Sequence, residues 1–146
     1  MPPSFFNLSS LTDLDLHVNF DKLPDEFDKL ISLTKLTLDT SWNAHLPESF
    51  GHLTSLTELN FINCPLTRLP DSFGGLKSLV RLSLGVTILD ALPDSIGQLQ
   101  NLQEFHLKDN YPITSLPDSF FQLSLWNVNG LFRFQPHCPT SFLSQC

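Results

Sequence analysis

Five histidines and three cysteines are the residues of this chain that could ligate a metal ion or act as catalytic bases and nucleophiles. Cys64, Cys138 and Cys146 are odd in number and show no Cys-x-x-Cys spacing, so neither a zinc site nor a disulfide framework is indicated. A reducing, intracellular setting fits these cysteines best, and we expect a cytoplasmic protein.

Catalysis would need a recognisable constellation, and the sequence contains none of the common ones. A nucleophile elbow, a phosphate-binding loop and the His-Glu-x-x-His metal motif are all missing. We therefore expect no enzymatic activity, no cofactor and no metal site.

Carboxylates dominate the charge, with 15 Asp and Glu against 8 Lys and Arg and a net charge of −7. Such a chain lacks the basic surface that nucleic acids and anionic membranes attract, so neither is an expected partner. Five of the carboxylates follow a Leu-Pro dipeptide, at Asp25, Glu48, Asp71, Asp94 and Asp118. Acidic residues are favourable at the start of a helical turn, and we interpret this row as structural.

The Leu-Pro dipeptide marks an internal repeat. It occurs at residues 23, 46, 69, 92 and 116, and Met1-Pro2 stands at the same place in a first copy. The unit has apolar residues two apart, as in Leu59 and Phe61, which predicts a short strand with one buried face. Stacked copies predict a parallel sheet, with a row of phenylalanines in the core at Phe5, Phe27, Phe50, Phe73 and Phe120 and with Ile96 in the same row.

The third copy resembles the leucine-rich repeat pattern LxxLxLxx(N/C)xL, aligned on Leu56, Leu59, Phe61, Cys64 and Leu66. The resemblance implies an α/β fold: a right-handed solenoid with a parallel β-sheet on the concave face and short helical or 3₁₀ turns on the convex face. Cys64 would then point inward as a structural residue, at the position that Asn19, Ser41, Thr87 and Asn110 hold in other copies.

The phrase Leu-Pro-Asp-Ser-Phe-Gly-x-Leu indicates which class of leucine-rich repeats this chain resembles. It is similar to the repeats of plant intracellular Ras-group-related proteins and of plant nucleotide-binding disease-resistance receptors. The resemblance implies a module that binds proteins or peptides in intracellular signalling. The alternatives are the recognition fragment of an immune receptor, or a structural fragment that is stable only in a longer chain or dimer.

Proteins of this kind commonly bind on the concave face, where alternate strand residues point outward. The first row of outward positions is Asp13, Lys35, Glu58, Arg81 and Glu104. The second row is Asp15, Thr37, Asn60, Ser83 and His106, and the third is His17, Asp39, Ile62, Gly85 and Lys108. We predict that these residues, Gly85 excepted, bind the partner, because their mixed charge suits a protein or peptide better than a polyanion. Gly85 leaves a gap beside Ile62, the exposed apolar exception.

The repeat pattern covers residues 1–124, with five clear copies and a degenerate sixth. From Trp126 to Phe134 the chain no longer keeps the strand pattern. Residues 125–146 are expected to form either a C-terminal cap or an irregular tail. Terminal coils without a cap expose core and strand edges, which suggests self-association through the ends.

Overall fold

The computed structural model describes residues 2–17, 22–40, 45–108, 113, 115–125 and 127–129. Within these ranges, six short 3₁₀ helices alternate with six strands. The helices are η1 (Pro3–Asn7), η2 (Asp25–Lys29), η3 (Glu48–His52), η4 (Asp71–Gly75), η5 (Asp94–Gln98) and η6 (Asp118–Gln122). The strands are β1 (Asp13–His17), β2 (Lys35–Asp39), β3 (Glu58–Ile62), β4 (Arg81–Gly85), β5 (Glu104–Lys108) and β6 (Asn127–Asn129). One helix and the strand after it form one coil, and the coils are numbered 1 to 6.

The strands form a single parallel sheet in chain order. Leu14 pairs with Leu36, Leu36 with Leu59, and Leu82 with Phe105, so each residue is paired with the equivalent residue one repeat away. Because pairing offset and repeat length agree, identical positions of successive coils stand side by side. The open parallel sheet with 3₁₀ helices opposite confirms the predicted solenoid.

The core lies between the sheet and the helices. The inward residues of the inner strands, such as Leu59, Phe61 and Leu82, are fully buried. The phenylalanine row stacks from coil to coil, with ring centroids 6.4 Å apart for Phe27 and Phe50 and 6.3 Å apart for Phe50 and Phe73. This stacking adds to the burial of the rings and explains why an aromatic residue recurs at this position.

Coil 1 departs from the predicted row. Phe6, and not Phe5, is buried and lies against Phe27, with 6.4 Å between their centroids. Phe5 is half-buried and meets Phe6 edge-on. In coils 2 to 4 the phenylalanine rings stack in one orientation. In coil 1, which has a described neighbour on one side only, the ring of Phe6 reaches Phe27 and takes the core position.

Helices η2 to η6 begin at the Leu-Pro-Asp/Glu element, as the acidic row predicts. In η2 to η6 the proline is not the first helical residue but the residue before it, held in an extended conformation. Its fixed φ suits this position, and its carbonyl accepts the first helical hydrogen bond, as from Phe50 N–H to Pro47 at 3.0 Å. The acidic residue then occupies the first turn, where carboxylates are favourable.

Serine and glycine hold successive helices close together, a role that the repeat pattern alone did not indicate. Ser49 Oγ donates to the Asp25 carbonyl at 2.8 Å, and Ser72 Oγ donates to the Glu48 carbonyl. At Gly51, an added Cβ would overlap the Ser72 carbonyl oxygen. The Ser-Phe-Gly part of the repeat therefore sets the close spacing of the helical side.

The sheet extends further than the hydrophobic pattern indicated. Asn127–Asn129 pairs in parallel with β5, with Phe105 opposite Val128. Backbone pairing with an existing strand edge needs no repeat-type side chains, which is why the pattern missed this strand. Residues 130–146 lie outside the described residues, so the cap or tail at 125–146 stays a prediction.

Candidate ligand-binding face

The register of the sheet sets the three predicted rows side by side on the face opposite the core. Asp13, Lys35, Glu58, Arg81 and Glu104 are aligned by pairing, as are the members of the second row. Lys108 ends β5 as the partner of Gly85, but its side chain lies outside what the structure describes.

The first row forms a ladder of ion pairs centred on Glu58. Lys35 Nζ lies 3.6 Å from Glu58 Oε1, and Arg81 Nη2 lies 2.8 Å from Oε2. Asn60 Nδ2 also donates to Glu58 at 3.2 Å. The hydrogen bond from Arg81 lowers the pKa of Glu58 against the opposing effect of its partial burial. These ion pairs hold the three charged side chains in fixed positions on the face. Each exposed pair contributes only about 0.2–1 kcal/mol to stability.

His17 stands between two carboxylates at the end of the first two strands. Its Nε2 lies 3.1 Å from Asp15 Oδ1, and its Nδ1 lies 3.3 Å from Asp39 Oδ2. At the far end, His106 Nε2 lies 3.7 Å from Glu104 Oε2. Four strand spacings of about 4.8 Å separate the two histidines, so the structure does not bring them into one site. Each contributes to the surface of its own coil.

Thr37 is a correction to the predicted face. Only 8% of it is exposed, so the partner could touch little of its side chain. Thr37 lies between Asp15 and Asn60 on the adjacent strands. Asn60 and Ser83, in the same row, are half-buried and remain accessible.

The third row contains one exposed apolar side chain, that of Ile62. Ile62 is 44% exposed, so the apolar side chain that the sequence placed on this face is accessible. Val86 and Ile88, which the repeat pattern did not single out, are 48% and 42% exposed in the loop after β4. We call Ile62, Val86 and Ile88 the apolar patch. The alternating strand pattern could not have found Val86 and Ile88, because both lie beyond the strand.

Cys64 lies under this end of the face and is buried. Its Sγ is 3.8 Å from Thr40 Oγ1, and burial raises the pKa of the thiol to about 11. Thr87, one coil further on, is also buried, whereas Asn19, Ser41 and Asn110 lie outside the described residues. Thr40, one residue before the predicted Ser41, is thus a buried polar partner that the repeat alignment missed.

A raised pKa predicts an unreactive Cys64. In a chain carrying Cys138→Ser and Cys146→Ser, the remaining thiol should react with a disulfide reagent at least about 100-fold more slowly in the native state than in urea. Because the unfolded thiol ionises near its ordinary pKa of 9.0 and the folded one near 11, stability should fall as the pH rises above about 9. Equal rates in the native and unfolded states would contradict the buried assignment.

Two open grooves lie away from the sheet face. One, of about 350 Å³, lies beside the starts of η2 and η3 and is lined by residues that include Lys22, His45 and Arg68. The other, of about 410 Å³, lies on the helical side near Lys77 and Gln98. Across the described part of the chain, no group of three or more His, Cys, Asp or Glu side chains could hold a metal ion. No helix among the described residues is long and apolar enough to cross a membrane.

A parallel sheet of in-register coils with 3₁₀ helices opposite defines a leucine-rich repeat solenoid. The Leucine Rich Repeat family model matches residues 55–76, which include β3 and η4. No match was found among curated protein sequences.

Solved structures of leucine-rich repeat proteins resemble the chain over most of its length. A leucine-rich repeat protein of Leptospira interrogans is 35% identical with a TM-score of 0.73, and the match covers 87% of this chain and 33% of that one. The leucine-rich repeat domain of the type III effector XopL is 28% identical with a TM-score of 0.75, covering 91% and 49%. The plant peptide hormone receptor RGFR1, solved in complex with RGF2, is 26% identical with a TM-score of 0.75, covering 88% and 22%. The chain thus spans less than half the length of each of these proteins.

Proposed function

We propose that this chain is an interaction module that binds a protein or peptide on the exposed face of its sheet. The observation that carries the proposal is the face itself, where aligned polar rows flank an exposed isoleucine at position 62. The peptide hormone receptor RGFR1, which shares this fold, is solved in complex with RGF2. Binding by this fold needs no catalytic group, and the proposal includes none.

The area of the five strands that carry the predicted rows fits a short partner segment. Five strands of five residues span about 24 Å by about 16 Å, or about 400 Å², which is half of the roughly 800 Å² per partner in a standard protein interface. A peptide or a single protruding loop would cover such an area. A larger protein would also have to contact the flanks of the solenoid.

The ion-pair ladder supports recognition more than stability. Charges held by their neighbours are already oriented, so a partner orders few side chains when it binds. Glu58, held from both sides by Lys35 and Arg81, is the clearest example.

The test is a random dodecapeptide display library selected on the immobilised chain, with the selected peptides synthesised and titrated against variants. Ile62→Asp and Arg81→Glu should each weaken binding by about ten-fold or more, because one buries a charge and the other breaks the ladder. Ile31→Asp is the matched control, because Ile31 is 61% exposed and follows η2 on the helical side. Peptides that bind both face variants as tightly as the wild type would argue against the sheet face.

We place the module in intracellular signalling on the basis of its Leu-Pro-Asp-Ser-Phe-Gly phrase and its cysteine usage. A recognition fragment of an immune receptor is the alternative within the same class. The gene sequence upstream of Met1 distinguishes the two, because an immune receptor of this type would encode an ATPase domain with a phosphate-binding loop.

A further inference from the structure

Gly85 leaves a gap beside two residues of the apolar patch, Ile62 and Val86. β3 and β4 run in register from Glu58–Arg81 to Phe61–Leu84, so Ile62 and Gly85 end neighbouring strands. A Cβ at Gly85 would find only the Phe61 carbonyl oxygen, at 3.1 Å, among atoms within 4 Å. Apart from the chain neighbours of Gly85, the described residues therefore leave the space above it open, with Ile62 on one side and Val86 directly after it in the chain. We call this gap the Gly85 notch, and its width of one strand spacing suits a single aliphatic side chain.

Val86 adds an independent observation, because its backbone is strained. Its φ is 50°, a left-handed conformation that costs a β-branched residue more than most. The equivalent position in coil 3 is Asn63, at φ 46°, a residue type that tolerates this region. Val86 is 48% exposed, so burial does little to offset its strain. An exposed apolar side chain held in a costly conformation is typical of a contact surface.

Charge around the notch is asymmetric. On the coil 2 side, Asp39 is the register partner of Ile62, and its carboxylate is 26% exposed with His17 and Asn63 as its neighbours. Asp90 is exposed two residues after Ile88. On the coil 5 side, the register partner of Gly85 is Lys108. The chain as a whole carries a net charge of −7.

We propose that the Gly85 notch receives one aliphatic side chain of an extended peptide, and that a lysine or arginine of the same peptide pairs with Asp39. This inference rests on the proposed function and names the chemistry of its partner. Asp39 on β2 and Gly85 on β4 are two strand spacings apart, or about 9.6 Å. In an extended peptide, side chains two residues apart lie about 7 Å apart on one face, and the length of a basic side chain covers the remaining distance. The basic residue belongs on the Asp39 side of the anchor, because the partly exposed carboxylate of Asp39 lies on that side.

The experiment selects the random dodecapeptide library in parallel on the wild-type chain and on Gly85→Leu, whose side chain fills the notch. Peptides recovered on the wild type and depleted by about ten-fold on Gly85→Leu are synthesised and titrated. We expect them to share an aliphatic residue with a lysine or arginine two positions away on one side. Asp39→Asn should weaken these peptides by about five-fold, and added salt should weaken them further, while Ile31→Asp should leave them unchanged.

Val86→Asn gives a second readout that a purely structural role would not produce. Relief of the left-handed strain should raise the melting temperature by about 2–4 °C. The same variant should weaken the selected peptides, because it removes one apolar wall of the notch. An unchanged affinity would remove Val86 from the site, and circular dichroism melting shows that Gly85→Leu and Asp39→Asn remain folded.

The outcomes separate this inference from the proposed function. The proposal for the Gly85 notch is overturned if the selected peptides are acidic, or if they bind Gly85→Leu as tightly as the wild type. If those peptides still depend on Ile62 or Arg81, binding on the sheet face stands. If no enriched peptide depends on any residue of the face, both the notch and the proposed function are overturned.

Discussion

Gly51→Ala is expected to destabilise the chain by about 3 kcal/mol, although it adds a single methyl group. The new Cβ would overlap the Ser72 carbonyl oxygen and lie 2.8 Å from the Ser72 Cβ, so backbone has to move. Helices η3 and η4 cannot separate freely, because two hydrogen bonds join them. Ser72 of η4 donates its N–H to the Glu48 carboxylate and its Oγ–H to the Glu48 backbone carbonyl in η3. Urea denaturation followed by circular dichroism measures the loss.

Gly85→Ala is the matched control for Gly51→Ala. There, the added Cβ meets one atom at 3.1 Å and otherwise open space, so the cost should stay below about 1 kcal/mol. If both substitutions cost the same, the close approach of helices η3 and η4 does not limit the residue at position 51. The contrast therefore measures packing on the helical side and not the general effect of replacing glycine.

Phe50→Ala is expected to lower the free energy of unfolding by about 3–5 kcal/mol. Phe50 is fully buried and stacks on Phe27 and Phe73, so its loss opens a cavity in the middle of the row. Because each coil contacts only its neighbours, a cavity in coil 3 separates the coils on its two sides and reduces the cooperativity of unfolding. A broadened thermal transition with a lower midpoint would show both effects.

The control for Phe50→Ala is Phe5→Ala. Phe5 occupies the equivalent position in coil 1 but is half-buried and meets Phe6 edge-on instead of stacking between two rings. Its loss should cost about 1–2 kcal/mol, because less apolar surface leaves the core. Equal effects at positions 5 and 50 would mean that the phenylalanine row does not stabilise the solenoid by stacking.

The repeat by itself determined the architecture. Leu59 and Phe61, two apart and repeated every 23 residues, predicted an inward-facing strand, and both residues are buried. The Leu-Pro-Asp/Glu element predicted where each helical turn begins to within one residue. Such regularity makes prediction reliable, because each coil repeats the same local pattern and contacts only its neighbours.

The same regularity predicted the rows of the candidate site, and the structure aligns them. The repeat pattern could not predict how exposed each residue of these rows is. Thr37 belongs to the same row as Asn60 and Ser83, which are half-buried, yet only 8% of Thr37 is exposed. Whether the rows bind a partner stays a proposal, to be tested by Ile62→Asp and Arg81→Glu.

Positions outside the repeat rule were decided by tertiary structure alone. Phe6, and not Phe5, is buried against Phe27, and Thr40 is the buried hydrogen-bond partner of Cys64. Asn127–Asn129 becomes a strand because the edge of β5 offers unpaired backbone groups, which hydrophobicity does not report.

The roles of the carboxylates and histidines were likewise determined partly by the sequence and partly by the tertiary structure. From its spacing alone, the sequence predicted that the acidic row serves the helical turns, and the structure places these carboxylates in the first turns of η2 to η6. Only the tertiary structure placed His17 between two carboxylates and Val86 in a left-handed conformation beside Gly85. Periodic side chains are set by local pattern, whereas contacts between coils depend on the size and backbone conformation of each neighbour, and these vary from one coil to the next.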